Sequence, residues 1–485
     1  MAYVNLLTRY SSFVGGDWAG SEGGQVEASI DPATEEPIAE LRYATEADVD
    51  RAVAVASDAQ PSWRATPWAE RAALVNALAD RLETETEAFA RLDVVDAGIP
   101  IRGMRRDVAN AVRYLRYFAA LASELKGHSL ESADGSLSLT QREPYGVVGR
   151  IVPFNHPFQF AAAAIAAPLV AGNAVVLKPS EHTSLSALKL AELAVDVLPP
   201  GLLNVVVGAA GVGSAIVRHP GVSRVGFTGS VRAGRAVLKD AAEGIKPVTL
   251  ELGGKNPLIV CPDAGLELAI DLALIGMNLQ RTAGQSCGST SRVYVHEEIR
   301  DDFVDGIASR FGSLTVGQPQ SEETDMGPVA FAAHRDRVIA AIQRAEQQGA
   351  VRVVGGAEPP TGLERGYFVR PTVFSEVKDG FDVATEEIFG PVLAVLSWHE
   401  EQDVLNRANH LPLGLTANVV TNDLSRALRM AHRLDAGFVW VNGRGQRPFG
   451  APFGGHKQSG LGEENSLGEL LSYTRTKNLS LNMAG

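Results

Sequence analysis

Cysteine is almost absent from this 485-residue chain, with Cys261 and Cys287 the only two. So sparse a supply excludes a disulfide framework and suits a reducing, cytoplasmic setting. Basic charge is also short. Lys and Arg total 44 against 57 Asp and Glu, a formal net charge of -13. A surface of this sign repels phosphate backbones, so no nucleic-acid partner is expected, and no block of basic residues makes a local exception. The stretch 1–10 lacks the basic start and apolar run of a secretory signal. Long hydrophobic runs are represented by residues 158–177 alone, which are uncharged but mostly alanine and interrupted by Gln159, Pro168, Gly172 and Asn173. A bilayer helix needs about 20 strongly apolar residues. The run therefore reads as a buried helix ending near Pro168, a Gly172-Asn173 turn and a buried strand, with no membrane partner. The ten histidines are scattered without metal-ligand spacing, so no metal is expected.

What is present is an ordinary soluble composition, 45% apolar and 21% charged, in a chain too long for a single core. Apolar residues recur at helical spacing over 68–92 and 104–126, and residues 136–141 alternate as a half-buried strand does. From Gly146 short apolar strands (147–152, 174–178, 203–207, 224–227, 248–252) alternate with helices (158–169, 185–197, 213–218, 230–242). Uniformly apolar strands joined by helices predict an α/β fold with a parallel sheet covered on both faces. Gly253-Gly254 reads as a hinge, after which a second alternating series runs to about Gly460. The tail, 471–481, predicts a strand that pairs with 136–141 in a small appended sheet suited to subunit pairing.

Three segments carry chemistry. In Gly284-Gln285-Ser286-Cys287-Gly288-Ser289 a thiol sits in a close-approach loop, where backbone N–H groups can lower its pKa or hold an oxyanion. Burial as a structural cysteine is the alternative, and it is the reading for Cys261, which ends an apolar strand. Glu251 closes another apolar strand beside Gly253-Gly254. Desolvated there, its carboxyl would have a raised pKa and act as a base near neutrality, against the alternative of a structural ion pair. Asn155, in Pro153-Phe154-Asn155-His156-Pro157, can point its amide at a ligand oxygen or cap the following helix.

Together these segments resemble the aldehyde dehydrogenase superfamily from about Phe13 to Asn478. The matches run in order through Asn155, Lys178 and Glu181 in Leu-Lys-Pro-Ser-Glu, Phe227-Thr228-Gly229-Ser230 and Glu251 in Leu-Glu-Leu-Gly-Gly-Lys-Asn-Pro. They continue through Cys287 in Gly-Gln-Ser-Cys, Glu386-Glu387-Ile388-Phe389-Gly390-Pro391 and Pro452-Phe453-Gly454-Gly455-His456-Lys457-Gln458-Ser459-Gly460. The resemblance implies an NAD(P)+-dependent enzyme that oxidises an aldehyde to a carboxylic acid. Cys287 would attack the aldehyde carbon, Asn155 and the Cys287 N–H would hold the oxyanion, and Glu251 would activate water against the thioester. Relatives that pass the acyl group to coenzyme A lack that glutamate, so its presence favours hydrolysis. It further implies a dinucleotide-binding domain (1–121 and 145–253), a catalytic domain (254–462) and an oligomerisation element (122–144 and 463–485), assembled as a homodimer or homotetramer.

The standard Gly-x-Gly-x-x-Gly fingerprint is absent. Gly208, Gly211 and Gly213 follow a strand with the wrong spacing, although Gly211 stays among the cofactor candidates. The better phosphate site is Gly229-Ser230 at a helix N-terminus. By family analogy Lys178 and Glu181 meet the adenosine ribose, and a carboxylate there repels a 2′-phosphate, favouring NAD+ over NADP+. Glu387 resembles the residue that holds the nicotinamide ribose, with Phe389 beside it. Departures from the family pattern are Phe154 for Trp, Ser289 for Ala and Glu463 for Arg. His156, Phe158 and Arg281 are the candidate substrate-pocket residues. An apolar channel past Phe158 would suit an aromatic aldehyde, and Arg281 could pair with a substrate carboxylate. A thioester-forming acyl transferase and a non-catalytic binding protein are the competing readings.

Overall fold

The computed structural model describes residues 9–131 and 136–482. Residues 1–8, on which the signal-peptide expectation partly rests, lie outside the described residues, as do the ends of the outermost assigned segments. An eight-stranded sheet runs in the order Gly460–Leu461, Val248–Glu251, Val222–Thr228, Val147–Ile151, Ala174–Lys178, Leu203–Val205, Ser12–Val14 and Asp17–Ala19. The five strands from Val248–Glu251 to Leu203–Val205 are mutually parallel. Val147–Ile151 and Ala174–Lys178 are buried at every residue, which is why they read as continuous apolar runs rather than alternating ones.

In chain order the sheet starts at Val147–Ile151, grows one way through Ala174–Lys178 and Leu203–Val205, then returns to grow the other way through Val222–Thr228 and Val248–Glu251. The order reverses between Val147–Ile151 and Val222–Thr228. A crevice opens at such a switch point outside the carboxyl ends of the strands, where ligands bind in open α/β sheets. Asn155, Lys178, Gly229-Ser230 and Glu251 all lie at or just beyond carboxyl ends of these strands.

A second, seven-stranded sheet runs Val351–Val354, Thr372–Ser375, Val392–Trp398, Arg292–His296, Pro257–Val260, Thr416–Val420 and Phe438–Val441. Each sheet has its own hydrophobic core, and the core changes over between Leu252 and Leu258. The tail strand Thr474–Leu481 pairs antiparallel with Leu137–Pro144, which in turn pairs with Ser129–Glu131, in a largely exposed three-stranded sheet. No helix among the described residues is long and apolar enough to cross a membrane.

Three expectations need correction. The helix expected over 68–92 is two helices, Trp68–Thr84 and Thr86–Ala97. The hydroxyls of Thr84 and Thr86 bond the carbonyls of Arg81 and Glu83 (2.7 Å each), competing for acceptors of the helical ladder at the break. Gly460, assigned to the second series, pairs with Glu251 and so closes the first sheet. Gly253-Gly254 is less a hinge than a close approach: a Cβ at Gly253 would lie 1.9 Å from a carboxylate oxygen of Glu387.

Candidate active site

The loop bearing Cys287 is held from several sides. It leaves the short helix Leu279–Thr282 through Ala283 and Gly284, both with positive φ (51° and 77°). Only glycine fits at 284, because a Cβ would sit 2.3 Å from the Gly390 carbonyl oxygen. Asn256 donates its side-chain amide to the carbonyls of Cys287 (2.7 Å) and Ser289 (2.9 Å), while its Oδ1 accepts from the Thr416 N–H (3.0 Å). One buried amide thus ties the thiol loop to the second sheet. Ser289 is absorbed without strain, its hydroxyl donating to the Met277 carbonyl (3.1 Å).

Asn155 reaches the same loop. It is buried, and its Nδ2 donates to the carbonyl of Gln285 at 2.8 Å. Capping is not its role, since Asp93 accepts from the Phe158 N–H in the first turn of the helix Pro157–Val170 (2.9 Å). Glu251 is also buried, and neither of its carboxylate oxygens has a protein hydrogen-bond partner. Among the described residues the structural ion pair considered as its alternative is therefore absent. Burial first, and then the like charge of Glu464, push the Glu251 carboxyl well above its ordinary range, with Arg447 opposing.

Cys287 is half-buried. Burial, followed by the negative charges of Glu251 and Glu387, raises its thiol to about 12, while Arg447 and the Gly288 backbone N–H act to lower it. A protonated thiol within electrostatic reach of a carboxylate of raised pKa is a pair that can exchange one proton, directly or through water. Cys261 is different. It is fully buried against the Met430 sulfur (3.8 Å) and serves the core.

Among the cofactor candidates, Glu387 accepts from the Gly254 N–H (3.1 Å), and burial lifts its carboxyl to about 7. Its neighbour Lys255 is buried with its ammonium unpartnered, and desolvation lowers it to about 7. Phe389 adopts φ 57°, its carbonyl held by His334 Nε2 (2.7 Å), and its ring stands edge-on to Phe154 at 5.7 Å. Lys178 lies 3.6 Å from Glu181. Ser230 caps the helix Val231–Glu243, accepting from the Ala233 N–H (3.3 Å), and a Cβ at Gly229 would press to 2.6 Å from the Phe227 ring. Gly211 stands in the exposed first turn of Ala210–Arg218 with open space around it, so nothing there demands glycine.

The substrate-pocket expectations fare unevenly. His156 bonds the buried carboxylate of Asp107 (2.5 Å). Arg281 pairs with the other oxygen of the same carboxylate, so its charge is already neutralised within the protein. Phe158 is a correction: it is fully buried and stacked on Phe89 at 4.0 Å, a core residue that lines no channel. Arg281→Ala should therefore act on Asp107, which would keep only its hydrogen bond with His156. We expect a stability loss of about 1–3 kcal/mol in urea unfolding, with equal effects on acidic and neutral aldehydes. A selective rise in KM for acid-bearing aldehydes would reverse this assignment.

Asn256, Lys255 and Arg447 belong to the site although their sequence context gave them no role. Asn256 and Lys255 lie inside the Leu-Glu-Leu-Gly-Gly-Lys-Asn-Pro stretch. Arg447 carried no signal beyond lying just before Pro452-Phe453.

The aldehyde dehydrogenase family model matches residues 18–479. The structure superposes with a TM-score of 0.95 on a Bacillus cereus aldehyde dehydrogenase solved with NAD+, at 37% identity, covering 99% of this chain and 98% of that one. It superposes equally well, at TM-score 0.95, on Staphylococcus aureus betaine aldehyde dehydrogenase in complex with NAD+, at 34% identity, with 99% and 96% covered. A Burkholderia cenocepacia protein solved as a candidate aldehyde dehydrogenase is 38% identical, with 99% and 98% covered and a TM-score of 0.95. With the family's sequence pattern matched over nearly the whole chain and its fold reproduced at this identity, the protein belongs to the aldehyde dehydrogenase family.

Proposed function

We propose that this protein oxidises an aldehyde to the free carboxylic acid, with NAD+ as the preferred hydride acceptor and Cys287 as the nucleophile. The observation that carries this reading is the convergence of Asn155 and Glu251, from the ends of two strands of one sheet, on the Cys287 loop of the other. A dinucleotide suits the switch-point crevice, where buried polar atoms of Asn155 and Glu251 lack partners among the described residues. Gly229-Ser230 would receive the pyrophosphate, Lys178 and Glu181 the adenosine ribose, and Glu387 the nicotinamide ribose, with Phe389 packing alongside. Complexes of the Bacillus cereus and Staphylococcus aureus proteins with NAD+ support the choice of cofactor. The Glu181 carboxylate disfavours a 2′-phosphate.

Glu251 accepts the Cys287 proton, and the thiolate adds to the aldehyde carbon. The Asn155 amide and the Cys287 backbone N–H receive the negative oxygen that forms. NAD+ supplies a hydride acceptor, and hydride loss leaves an acyl thioester on Cys287. Glu251 passes the first proton to solvent and, ionised again, takes one from the water that attacks the thioester; the acid leaves and Glu251 returns that proton to the departing thiolate. Asn155→Ala should lower kcat by about 10²–10³-fold, the usual consequence of deleting one oxyanion donor. Retention of full kcat would assign the oxyanion to other donors.

On the same reading the eight-stranded sheet serves the dinucleotide, the seven-stranded sheet carries the nucleophile, and the exposed three-stranded sheet pairs subunits as a dimer or tetramer in the cytoplasm. The overall reading is tested by incubating the purified protein with a panel of aliphatic, aromatic and acidic aldehydes and NAD+ or NADP+. NADH formation with stoichiometric free acid is expected. A product that appears only as acyl-coenzyme A, or no reduction with any aldehyde, would refute it.

A further inference from the structure

The helix Ile101–Ala120 turns one face toward the site. Asp107, Asn110, Tyr114 and Tyr117 recur on it at helical spacing. Asp107 binds His156 and Arg281, and Asn110 binds Gln159 (3.2 Å), so this end of the face meets the residues beside Asn155 and before Cys287. Farther along, Tyr114 and Tyr117 hold the ring of Phe449 at 4.9 and 5.2 Å. The loop around Phe449 is also pinned from behind. The amide of Asn465 donates to the carbonyls of Pro448 and Ala451, both at 3.0 Å, and the Gly450 N–H donates to the Asn465 carbonyl at 3.0 Å.

Arg447 begins this pinned loop. Its guanidinium lies over the Phe453 ring, 4.2 Å from the centroid. Phe453 is buried and exchanges backbone hydrogen bonds with Glu464 (2.9 and 2.7 Å), close in the chain to Gly460, the register partner of Glu251. The charge of Arg447 acts on Cys287, Glu251, His156 and Tyr114 alike, so it stands within electrostatic reach of both sides of the site. Three cations are thus brought to this wall: Arg281 is neutralised by Asp107, Arg113 lies over the Phe449 ring at 5.2 Å, and Arg447 is the one whose charge acts on both Cys287 and Glu251. Arg447 is exposed, and among the described residues it makes no ion pair and no hydrogen bond to a carboxylate.

We propose that Arg447 binds a carboxylate at the far end of the aldehyde, so that the substrate class is an oxo acid rather than a neutral or cationic aldehyde. A guanidinium resting on an aromatic face keeps its N–H donors, which lie in its own plane, and these match a carboxylate two at a time. Phe453 and the Asn465-pinned loop limit the wandering of a long side chain, so less freedom is lost on binding. The assignment rests on Cys287 being the nucleophile, because that fixes which end of the substrate faces Arg447.

The test compares ω-oxo acids of about four to six carbons with the n-alkanals of equal length in the full-length protein. The readout is the ratio of kcat/KM values for acid and alkanal, in which any effect of Arg447 on the thiol cancels. The wild-type ratio should favour the acid by about 10-fold or more and fall about 30-fold in Arg447→Gln, the scale of a lost charge-assisted contact. Arg447→Lys, which keeps the charge but not the fork, should recover part of the preference. Brisk alkanal turnover with a ratio unchanged by Arg447→Gln would overturn the Arg447 assignment and leave Cys287 untouched. Absence of NADH with every aldehyde would overturn the reading of Cys287 and this proposal with it.

Discussion

Cys287→Ala is expected to reduce NADH formation by at least about 10⁴-fold with every aldehyde, leaving folding unchanged. The covalent route gives no partial credit: without sulfur no thioester forms, and nothing else in the loop can replace it. Structural damage should be slight, because the loop is positioned by Asn256, Gln285 and Ser289 rather than by the thiol. Cys261→Ala supplies the contrast. Its sulfur lies in the core against Met430, so truncation should lower stability through lost packing while activity per folded molecule persists. Circular dichroism and steady-state NADH assays on both variants separate the two roles. Substantial activity in Cys287→Ala would remove the nucleophile from this position.

Glu251→Gln has the second-largest effect. The variant should release at most about one equivalent of NADH per subunit, more slowly than the first turnover of the wild type because the thiol has lost its base, and then turn over at least about 10²-fold more slowly because water has lost its base too. Glutamine nearly preserves the shape of the side chain, so the Thr228 and Gly460 backbone pairings persist. The pH dependence carries the sign of the same argument. The folded carboxyl is raised, mainly by burial and then by Glu464, and only its ionised form accepts a proton. Wild-type kcat should therefore climb with pH through a limb lying well above the ordinary carboxylate range and flatten once Glu251 is ionised. Glu251→Gln should lack that limb. A wild-type profile with its acid limb at an ordinary carboxylate position, or a limb surviving in Glu251→Gln, would place the base elsewhere.

Much of this was legible in the residues because the relevant signals are local. A parallel strand buried on both faces must be continuously apolar, and Val147–Ile151 and Ala174–Lys178 announce themselves that way. Glu251 and Asn155 are polar residues placed at the ends of such strands, where a crevice is the natural neighbour. What failed depended on partners distant in the chain. Arg281 read as an open cation because Asp107, 174 positions away, is invisible to local pattern. Phe158 read as a channel wall because nothing near it in sequence reveals its stacking on Phe89. The glycine pair Gly253-Gly254 reads as a hinge unless one knows that Glu387 lies against it. The break at Glu85 is the exception, because two flanking threonines whose hydroxyls bond helical carbonyls are visible in the sequence.

The central claim is a covalent acyl group on one sulfur, and intact-protein and peptide mass spectrometry examine it directly. Glu251→Gln is mixed with NAD+ and an aldehyde that the wild type oxidises, quenched in acid after the first turnover and digested. The account predicts a mass increase equal to the acyl group on the peptide containing Cys287, removable by hydroxylamine. An unmodified Cys287 peptide after NADH has formed, or an acyl group on Cys261 instead, would contradict it.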